Sequence, residues 1–540
     1  MPISKIVEAP EWIENGATPT GGLDLLGLRL PVQTIGGSLL NGITTVTPSI
    51  RYIAIRAWLI HRYSQAKLPD SANEFTKRSS TVECALVLGN LLQDRSMTGL
   101  IGFNEALERL NTGTQSLDLG ALVKTPASTI YAGASEQLLV SWSREDGMPG
   151  LGENRGLPLA LAIEQGNSGS KLVGSLFQKA PLKEAHTDDL AEFGAAMRID
   201  KIPSGEREAL VAAIIPMKPK PRELNRIATY TALLRLSKEK GALATESDLF
   251  KAACSHKRFG DPLLDQAADG WLTYCVRDLI AVSQEAVLEA VLSELNLGAD
   301  DHRLGVEGRA IITELLSRAE EHDAPMREFG LLNSGESVKD LSFKKLFARI
   351  EERLALGATV KHGIKRWDSG LNEPFLYGMA LRSGAGALSI AVVAWIIAAL
   401  RVGSGVSEQM GNLDGLSYQG WRRVGLKEVI LPELERHLRE DLPLATVAAD
   451  IAYRVVQQHL KIAWSRLQVD LTRDVSLLST EGNKWIGRSE AFGAGRTASR
   501  IDRALGWMNQ LGLVGTGGIT GDGDVVLTNA LSALSQVVPA

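Results

Sequence analysis

Apolar residues recur at helical spacing over most of the chain, and the first clear case is the segment 48–63. Its apolar positions cover both faces, and its arginines and its histidine can bury their stems while the polar tips reach water, which predicts a buried helix. Thr47 and Pro48 predict where this helix begins, because threonine caps free N–H groups and proline needs no donor at the first position. The glycine-rich residues 22–46 predict turns. We expect the whole stretch to be a scaffold rather than an active site.

The same spacing predicts helices across the middle of the chain. The clearest amphipathic case follows Ser342, a candidate cap, and is expected to close at Gly357. Strand signals are scarce between residues 222 and 480, so this part is predicted to be all-α. The predicted helices are 81–93, 99–110, 222–241, 271–295 (as one or two helices), 343–356, 384–400 and 443–467.

One of these helices has no charged residue over 17 positions, 384–400. That length is at the short limit for crossing about 30 Å of hydrocarbon, and glycine, alanine and serine dilute its hydrophobicity. A helix buried on all sides in a large domain explains the pattern better. We therefore expect a soluble protein with no membrane contact.

Two stretches interrupt the helical pattern. Between residues 117 and 165, glycines and prolines punctuate short apolar runs before a helix at 157–165, which predicts a small α+β, winged-helix-like portion. At 203–222 three closely spaced prolines predict an extended linker. The expected domains are therefore an N-terminal helical domain (1–202), the linker (203–222), an all-α central domain (223–480) and a C-terminal module (481–540).

The C-terminal module has the order of elements of a winged helix. A helix is predicted at 497–511 with a preceding helix at 484–492, and two short strands at 513–514 and 525–528 flank a loop rich in glycine and aspartate. A last helix is predicted at 529–538. The predicted fold class is mainly α, a multi-domain helical protein with a C-terminal winged helix.

Basic residues concentrate in this module. Arg496, Arg500 and Arg503 are spaced i, i+4 and i+7, so a helix over 497–511 would bring them to one face, and Lys484 and Arg488 precede them. From residue 484 to 514 there are five basic and two acidic residues. Arginines on the second helix of such a fold contact phosphates or guanine edges in a major groove, so these five residues are the predicted site for double-stranded DNA.

Other roles remain open for the same residues. Asp522 and Asp524 in the predicted wing would repel a phosphate backbone. Winged helices also bind proteins, and three arginines on a helix are often only a solvated face. The alternatives are therefore a protein-binding module and a purely structural one.

Composition narrows the choice further. The net charge of −5 requires a local basic patch for any nucleic-acid contact. Three scattered cysteines without a CxxC pair indicate neither a disulfide framework nor a cysteine zinc site, and fit a reducing cytoplasm. The eight histidines lack HxxxH spacing, and the sequence GNSGSK (166–171) lacks the order of a phosphate loop. No cofactor or metal is predicted, and an enzyme would need a site assembled from distant residues.

Two segments resemble a known group of sequences. The motif LLNGITTVTPSIRYIAIRAW (39–58) and the segment NRIATYTALLRL (225–236) resemble uncharacterised bacterial helical proteins with the opening Leu-Leu-x-Gly-Ile-Thr…Arg-Tyr…Trp. That family is associated with gene neighbourhoods of anti-phage defence and DNA modification. The resemblance implies a bacterial cytoplasmic setting and transfers no catalytic residue.

The sequence thus predicts a non-enzymatic component of a bacterial multi-protein system, and the resemblance implies a role in defence. This component is expected to bind double-stranded DNA through its C-terminal winged helix and to contact other subunits. The first alternative is an adaptor subunit that bridges a partner ATPase or effector. The second is a nuclease or other hydrolase with a dispersed active site.

Overall fold

The computed structural model describes residues 24–167, 170–255, 257–297, 305–354, 370–402, 429–468, 475–488 and 492–537. Helices dominate them, which confirms the mainly α fold class. The helices are α1 Arg29–Leu39, α2 Arg51–Gln65, α3 Ala72–Gln93, α4 Phe103–Asn111, α5 Ala127–Ile130, α6 Ala132–Gln137, α7 Gly156–Asn167, α8 Lys171–Leu176, α9 Thr187–Ala196, α10 Ser204–Ile214, α11 Leu224–Lys240, α12 Glu246–Cys254, α13 Pro262–Leu297, α14 Gly308–Ser317, α15 Ala319–Glu328, α16 Phe343–Arg353, α17 Glu373–Ala380, α18 Ala387–Val402, α19 Leu431–Glu440, α20 Leu444–Leu467, α21 Ile501–Gln510 and α22 Gly521–Ser535.

The strands are short and lie in four small sheets. They pair antiparallel as β1 with β4, β2 with β3, β5 with β7, β6 with β7 and β8 with β9. Their bounds are β1 Ser116–Asp118, β2 Ser141–Ser143, β3 Pro149–Leu151, β4 Glu184–His186, β5 Val306–Glu307, β6 Leu478–Glu481, β7 Lys484–Gly487, β8 Val514–Gly515 and β9 Gly518–Ile519.

The chain forms two compact units, each built from separate stretches of sequence. Unit 1 comprises the described residues within 1–35, 250–257 and 271–497. Unit 2 comprises those within 36–249, 258–270 and 498–540. The predicted linker 203–222 lies inside unit 2, and its first half is helix α10 rather than an extended spacer.

Unit 2 is built on α2, which packs against α7, and on α3, which packs against α9. Trp58 of α2 is fully buried and meets Phe177 edge-on at 5.4 Å between ring centroids. Helices α3 and α9 cross at Gly89 and Gly194, where a Cβ atom on Gly194 would lie 2.1 Å from the Gly89 carbonyl. Only two glycines allow the backbones to approach this closely.

Unit 1 is built on α18, which packs against α15, α16, α17, α19 and α20. The prediction of a buried helix at 384–400 is confirmed, because side chains from Leu388 to Ala398 are buried on every side. Among the described residues, Gly384–Arg401 is the one stretch long and apolar enough to cross a bilayer, and 83% of it is buried inside the fold. At its end Arg401 forms a buried ion pair with Glu373 at 2.7 Å.

The first part of the chain differs from the prediction in detail. Helix α2 exists as predicted but begins at Arg51, and the Thr47 hydroxyl donates to the Thr44 carbonyl at 2.9 Å instead of capping the helix. The predicted turns contain helix α1, which includes Gly36 and Gly37. Tertiary packing has overridden the low helix propensity of glycine here.

Other helices agree more closely with the sequence pattern. Ser342 caps α16 by accepting the amide N–H of Lys345, and α11 ends at Gly241 with φ of +64°. The segment 271–295 lies in a single helix, α13, and α3 begins nine residues before the predicted start. Gly357 lies outside the described residues.

Candidate nucleic-acid interface

The predicted DNA site consists of five basic residues, and the structure divides them between the two units. Lys484, Arg488 and Arg496 belong to unit 1, and Arg500 and Arg503 belong to unit 2. Helix α21 begins at Ile501, so Arg496 and Arg500 precede it. The prediction that three arginines share one helical face is therefore wrong, because the face requires a helix over 496–503.

Lys484 is the first residue of strand β7, and Arg488 directly follows its last residue. The predicted helix at 484–492 is wrong over 484–487, which is strand, while residues 489–491 lie outside the described part. The strand is held because Trp485 packs against Gly308 and Tyr453. Both basic side chains are exposed, so an external anion can reach them.

Arg496 is held within unit 1 by aromatic rings and a carboxylate. Its guanidinium carbon lies 4.3 Å from the centroid of Tyr377 and 5.3 Å from that of Phe250. Its Nε lies 3.4 Å from a carboxylate oxygen of Asp278, which is fully buried. Burial raises the pKa of Asp278 to about 6. The guanidinium of Arg496 therefore interacts with two aromatic rings and one carboxylate of unit 1.

The residues around Arg496 form a strap, residues 494–497, along α13. The amide N–H of Ala494 donates to Glu289 at 2.8 Å, and that of Thr497 donates to Asp278 at 3.0 Å. The Tyr274 hydroxyl donates to the Thr497 carbonyl at 2.5 Å. Successive turns of one helix thus satisfy the backbone of the strap, which explains why these residues are not helical.

Arg500 adopts a left-handed conformation with φ of +69° directly before α21. Its Nη1 donates to the carbonyl of Ile43 at 2.9 Å. A left-handed conformation is unfavourable for a residue with a side chain, so the surrounding contacts must hold it there. Arg500 is therefore a structural residue at the start of α21.

The other polar side chains of α21 continue this contact along residues 43–50, which we call the clamped segment. Arg503 Nε donates to the Thr45 carbonyl at 3.0 Å, and the indole N–H of Trp507 donates to the Thr47 carbonyl at 2.9 Å. Gln510 donates to the Pro48 carbonyl and accepts the amide N–H of Ile50, both at 2.9 Å. The backbone groups bound in this way belong to Ile43, Thr45, Thr47, Pro48 and Ile50.

Helix α21 thus binds an irregular, turn-containing piece of its own chain through main-chain groups. The positions 503, 507 and 510 follow helical spacing, so they form one stripe that lies against the clamped segment, and Arg500 binds the same segment from just before the helix. The face expected to read DNA is the face that anchors the start of α2. Sequence reasoning missed Trp507 and Gln510, because nothing local in the sequence indicates a partner more than 450 residues away.

The predicted wing also packs inward. Strands β8 and β9, of two residues each, form a hairpin. The predicted strand at 525–528 is wrong, because those residues lie in α22. A Cβ atom on Gly518 would lie 2.8 Å from the Ser237 carbonyl, so the hairpin touches the end of α11. An ion pair of 2.6 Å between Lys238 and Asp524 joins α11 to α22, the helix that follows the hairpin. The wing is therefore part of the packing of unit 2.

One buried histidine of unit 1, His322, lies beside a serine hydroxyl. It lies 2.9 Å from the hydroxyl of Ser389 and 3.0 Å from the Leu315 carbonyl, and burial lowers its pKa. The adjoining cavity has a volume of about 10 Å³, which is room for about one water and for no substrate. We therefore interpret His322 as a core histidine whose two ring nitrogens are both hydrogen-bonded.

A larger cleft of about 120 Å³ lies in unit 1 between α13, α14 and the segment after α17. Its charged groups are already engaged, since Glu294 pairs with Arg318 and Glu289 accepts the Ala494 amide N–H. Across the described ranges, no three His, Cys, Asp or Glu side chains converge in a way that would hold a metal ion. The cleft therefore offers no catalytic set.

Comparison with known proteins returned no family model, no curated protein and no solved structure that matches this chain.

Proposed function

We propose that this chain is a non-enzymatic adaptor in a bacterial multi-protein system, which binds partner proteins and does not transform a substrate. The observation that supports this proposal is the clamped segment. Arg500 and Arg503, chosen from the sequence as DNA contacts, donate to backbone carbonyls of Ile43 and Thr45 instead. Helix α21 therefore uses its polar face on polypeptide.

The charges around α21 support the same proposal. Asp502 is exposed on the helix, and Asp522 and Asp524 occupy the first turn of α22. Carboxylates at these positions repel a phosphate backbone. Asp524 and Asp522 also pair with Lys238 and Arg207, at 2.6 and 3.9 Å, so part of this negative charge is offset within unit 2.

A protein partner needs an exposed anchor, and α20 in unit 1 offers one. Trp464 is 59% exposed and lies among the polar residues Gln457 and Lys461, although the opposite face of the helix is buried. Tryptophan is strongly enriched among residues that dominate binding energy at protein interfaces. A large indole on the solvated face of an otherwise amphipathic helix is therefore a candidate contact.

The test is to isolate the full chain under native conditions, to identify proteins cross-linked near Trp464, and to measure the affinity of the purified partner. We expect Trp464→Ala to weaken that complex by about tenfold or more, since interface tryptophans contribute about 2 kcal/mol or more. The matched control is Gln457→Ala on the same exposed face, which should change affinity less than about twofold. The proposal would be contradicted if the chain stays a monomer without partners, or if Trp464→Ala does not change the affinity for the partner.

A second candidate function is binding of double-stranded DNA, and it is favoured by the exposure of three of the five predicted residues. Lys484, Arg488 and Arg503 all present their charges to solvent. Removing a side chain that binds a phosphate should reduce the dependence of log K on log salt by about one unit. Binding of a duplex of about 30 base pairs over a salt series therefore measures how many of these charges take part.

The decisive variant replaces Lys484, Arg488 and Arg503 by alanine. Its matched control replaces the exposed Lys179, Lys183 and Lys201, which removes the same charge elsewhere. DNA binding through the predicted site requires that the first variant loses affinity and salt dependence while the control keeps both. If the two variants behave alike, the predicted site is rejected. If the unmodified chain does not bind the duplex, DNA itself is rejected and the adaptor proposal is retained.

A further inference from the structure

Trp142 lies half exposed on the hairpin of β2 and β3 in unit 2. It is 51% exposed and stands opposite Gly150 in the strand register. A Cβ atom on Gly150 would lie 2.2 to 2.8 Å from three atoms of the fused indole rings. The ring therefore rests directly on the glycine backbone, and the rest of its surface faces solvent.

The same arrangement occurs in unit 1, where it is complete. Trp485 lies on Gly308, and a Cβ atom there would lie 2.4 Å from the indole. Tyr453 covers Trp485 edge-on at 5.8 Å between centroids, and the tryptophan is only 7% exposed. Within the part of the chain that the structure describes, no cation or second ring is stacked on Trp142. Both tryptophans therefore pack on a glycine, but only Trp485 is also covered by a second aromatic ring.

The hairpin that carries Trp142 is firmly held. Arg144, in the turn, donates to both carboxylate oxygens of Asp70 at 2.9 and 2.8 Å, and the Ser143 hydroxyl bonds to Glu136. The turn contains Gly147 with φ of +81°, a conformation that glycine adopts without strain. A ring presented by a rigid support loses little conformational entropy when it binds.

The charges around the hairpin indicate which ligand this ring suits. At the turn three carboxylates, from Asp70, Glu145 and Asp146, accompany one positive charge, Arg144, which pairs with Asp70 and Asp146. Glu136 accepts the Ser143 hydroxyl, on the strand face opposite Trp142. The side chains of Asp70 and Asp146 are 67% and 51% exposed. A surface of this sign repels phosphates and attracts cations.

We propose that Trp142, on this hairpin whose turn is negatively charged, is a docking site for an arginine or lysine side chain of a partner protein. The cation stacks on the free part of the indole, and the carboxylates compensate its charge. The inference rests on the proposed adaptor function, because it supplies the chemistry of one partner contact. It concerns a surface of unit 2, whereas Trp464 belongs to unit 1.

The test uses the full chain and a labelled short peptide of alternating glycine and arginine, with a glycine and glutamate peptide for comparison. Fluorescence anisotropy at about 50 and about 300 mM NaCl measures both affinities. We expect the arginine peptide alone to bind, and Trp142→Leu to weaken it about threefold to tenfold, since leucine keeps apolar bulk but has no π face. Trp142→Tyr should retain most of the affinity.

The matched control is Phe375→Leu, which removes a partly exposed aromatic ring of unit 1 and should leave peptide binding unchanged. Equal binding by Trp142→Leu and the unmodified chain, or no binding of the arginine peptide by the unmodified chain, would overturn the proposal. The natural complex separates this outcome from failure of the adaptor function. A protein complex that needs Trp464 but not Trp142 overturns only this site, whereas peptide binding at Trp142 without any protein complex overturns only the adaptor proposal.

Discussion

Trp507 donates its indole N–H to the main-chain carbonyl of Thr47 at 2.9 Å, although 460 residues separate the two in sequence. Both residues are buried. The bond fixes the clamped segment on α21, and the clamped segment leads directly into α2, the central helix of unit 2. The C-terminal region of the chain thus positions an element near the N-terminus.

Replacing Trp507 by phenylalanine removes this hydrogen bond and leaves a buried carbonyl without its donor. We expect the free energy of unfolding to fall by about 1–3 kcal/mol, the usual effect of an unsatisfied buried group. Urea denaturation measures the change. The matched control is Trp464→Phe at an exposed position, which should stay within about 0.5 kcal/mol of the unmodified chain. Equal stability of the two variants would show that the bond to Thr47 contributes nothing.

Breaking the buried ion pair between Arg51 of α2 and Glu206 of α10 should lower the free energy of unfolding by more than Trp507→Phe does. The side chains are 2% and 1% exposed, and Nε lies 2.9 Å from the carboxylate. Glu206→Gln leaves the charge of Arg51 buried and uncompensated, so we expect a loss of about 3–5 kcal/mol in stability.

The control for this pair is the double variant Arg51→Met, Glu206→Leu, in which no charge is left unpaired. Apolar replacement of both partners of a buried pair is often close to neutral. The double variant should therefore be more stable than Glu206→Gln. The opposite order, measured by thermal unfolding, would contradict the electrostatic explanation.

Glu83 predicts how the stability of unit 2 depends on pH. Its carboxylate accepts the amide N–H groups of Ala127 and Ser128, both at 2.6 Å, and Arg56 lies close by. Burial raises the pKa of Glu83 to about 7 from an ordinary value of 4.5. Because the folded state holds this proton more tightly than the unfolded state, the stability due to Glu83 is fully present below pH 4.5 and is lost as pH rises to about 7.

The difference in pKa corresponds to a loss on the order of 3 kcal/mol over that interval. Other buried carboxylates, such as Asp278, titrate in the same range, so the informative quantity is the difference between the unmodified chain and Glu83→Gln at each pH. We expect that difference to change steadily from pH 4.5 to 7 and to be constant outside it. A difference independent of pH would refute the assignment.

Replacement by alanine is expected to have opposite effects at two glycines, Gly194 at the crossing of α3 and α9 and Gly506 in α21. Gly194→Ala would place a Cβ atom 2.1 Å from the Gly89 backbone, so the helices must separate, and we expect a loss of about 1–3 kcal/mol. Gly506, within α21, faces open space. Gly506→Ala should stabilise the chain by about 0.5–1 kcal/mol, because alanine favours helix. Chemical denaturation of both variants checks the signs.

The amino-acid sequence determined the local part of this structure. Helices such as α2, α11, α16 and α20 follow from the spacing of their apolar residues, and Ser342 and Gly241 fix helix ends through their own backbone and side-chain chemistry. These features depend on neighbours within a few residues, so a single sequence is sufficient to predict them. The mainly α fold class follows for the same reason.

Only the tertiary structure decided the partners of the basic residues. Spacing along a predicted helix assigned Arg496, Arg500 and Arg503 to one face. In the structure the backbone of the strap binds to α13, so the strap is not helical and α21 begins only at Ile501. A guanidinium can donate to a phosphate or to a carbonyl, and which of them it contacts depends on the groups that the fold brings near it. Those groups, on the clamped segment and on α13, are hundreds of residues distant, which is why local pattern could predict the helices and could not predict their contacts.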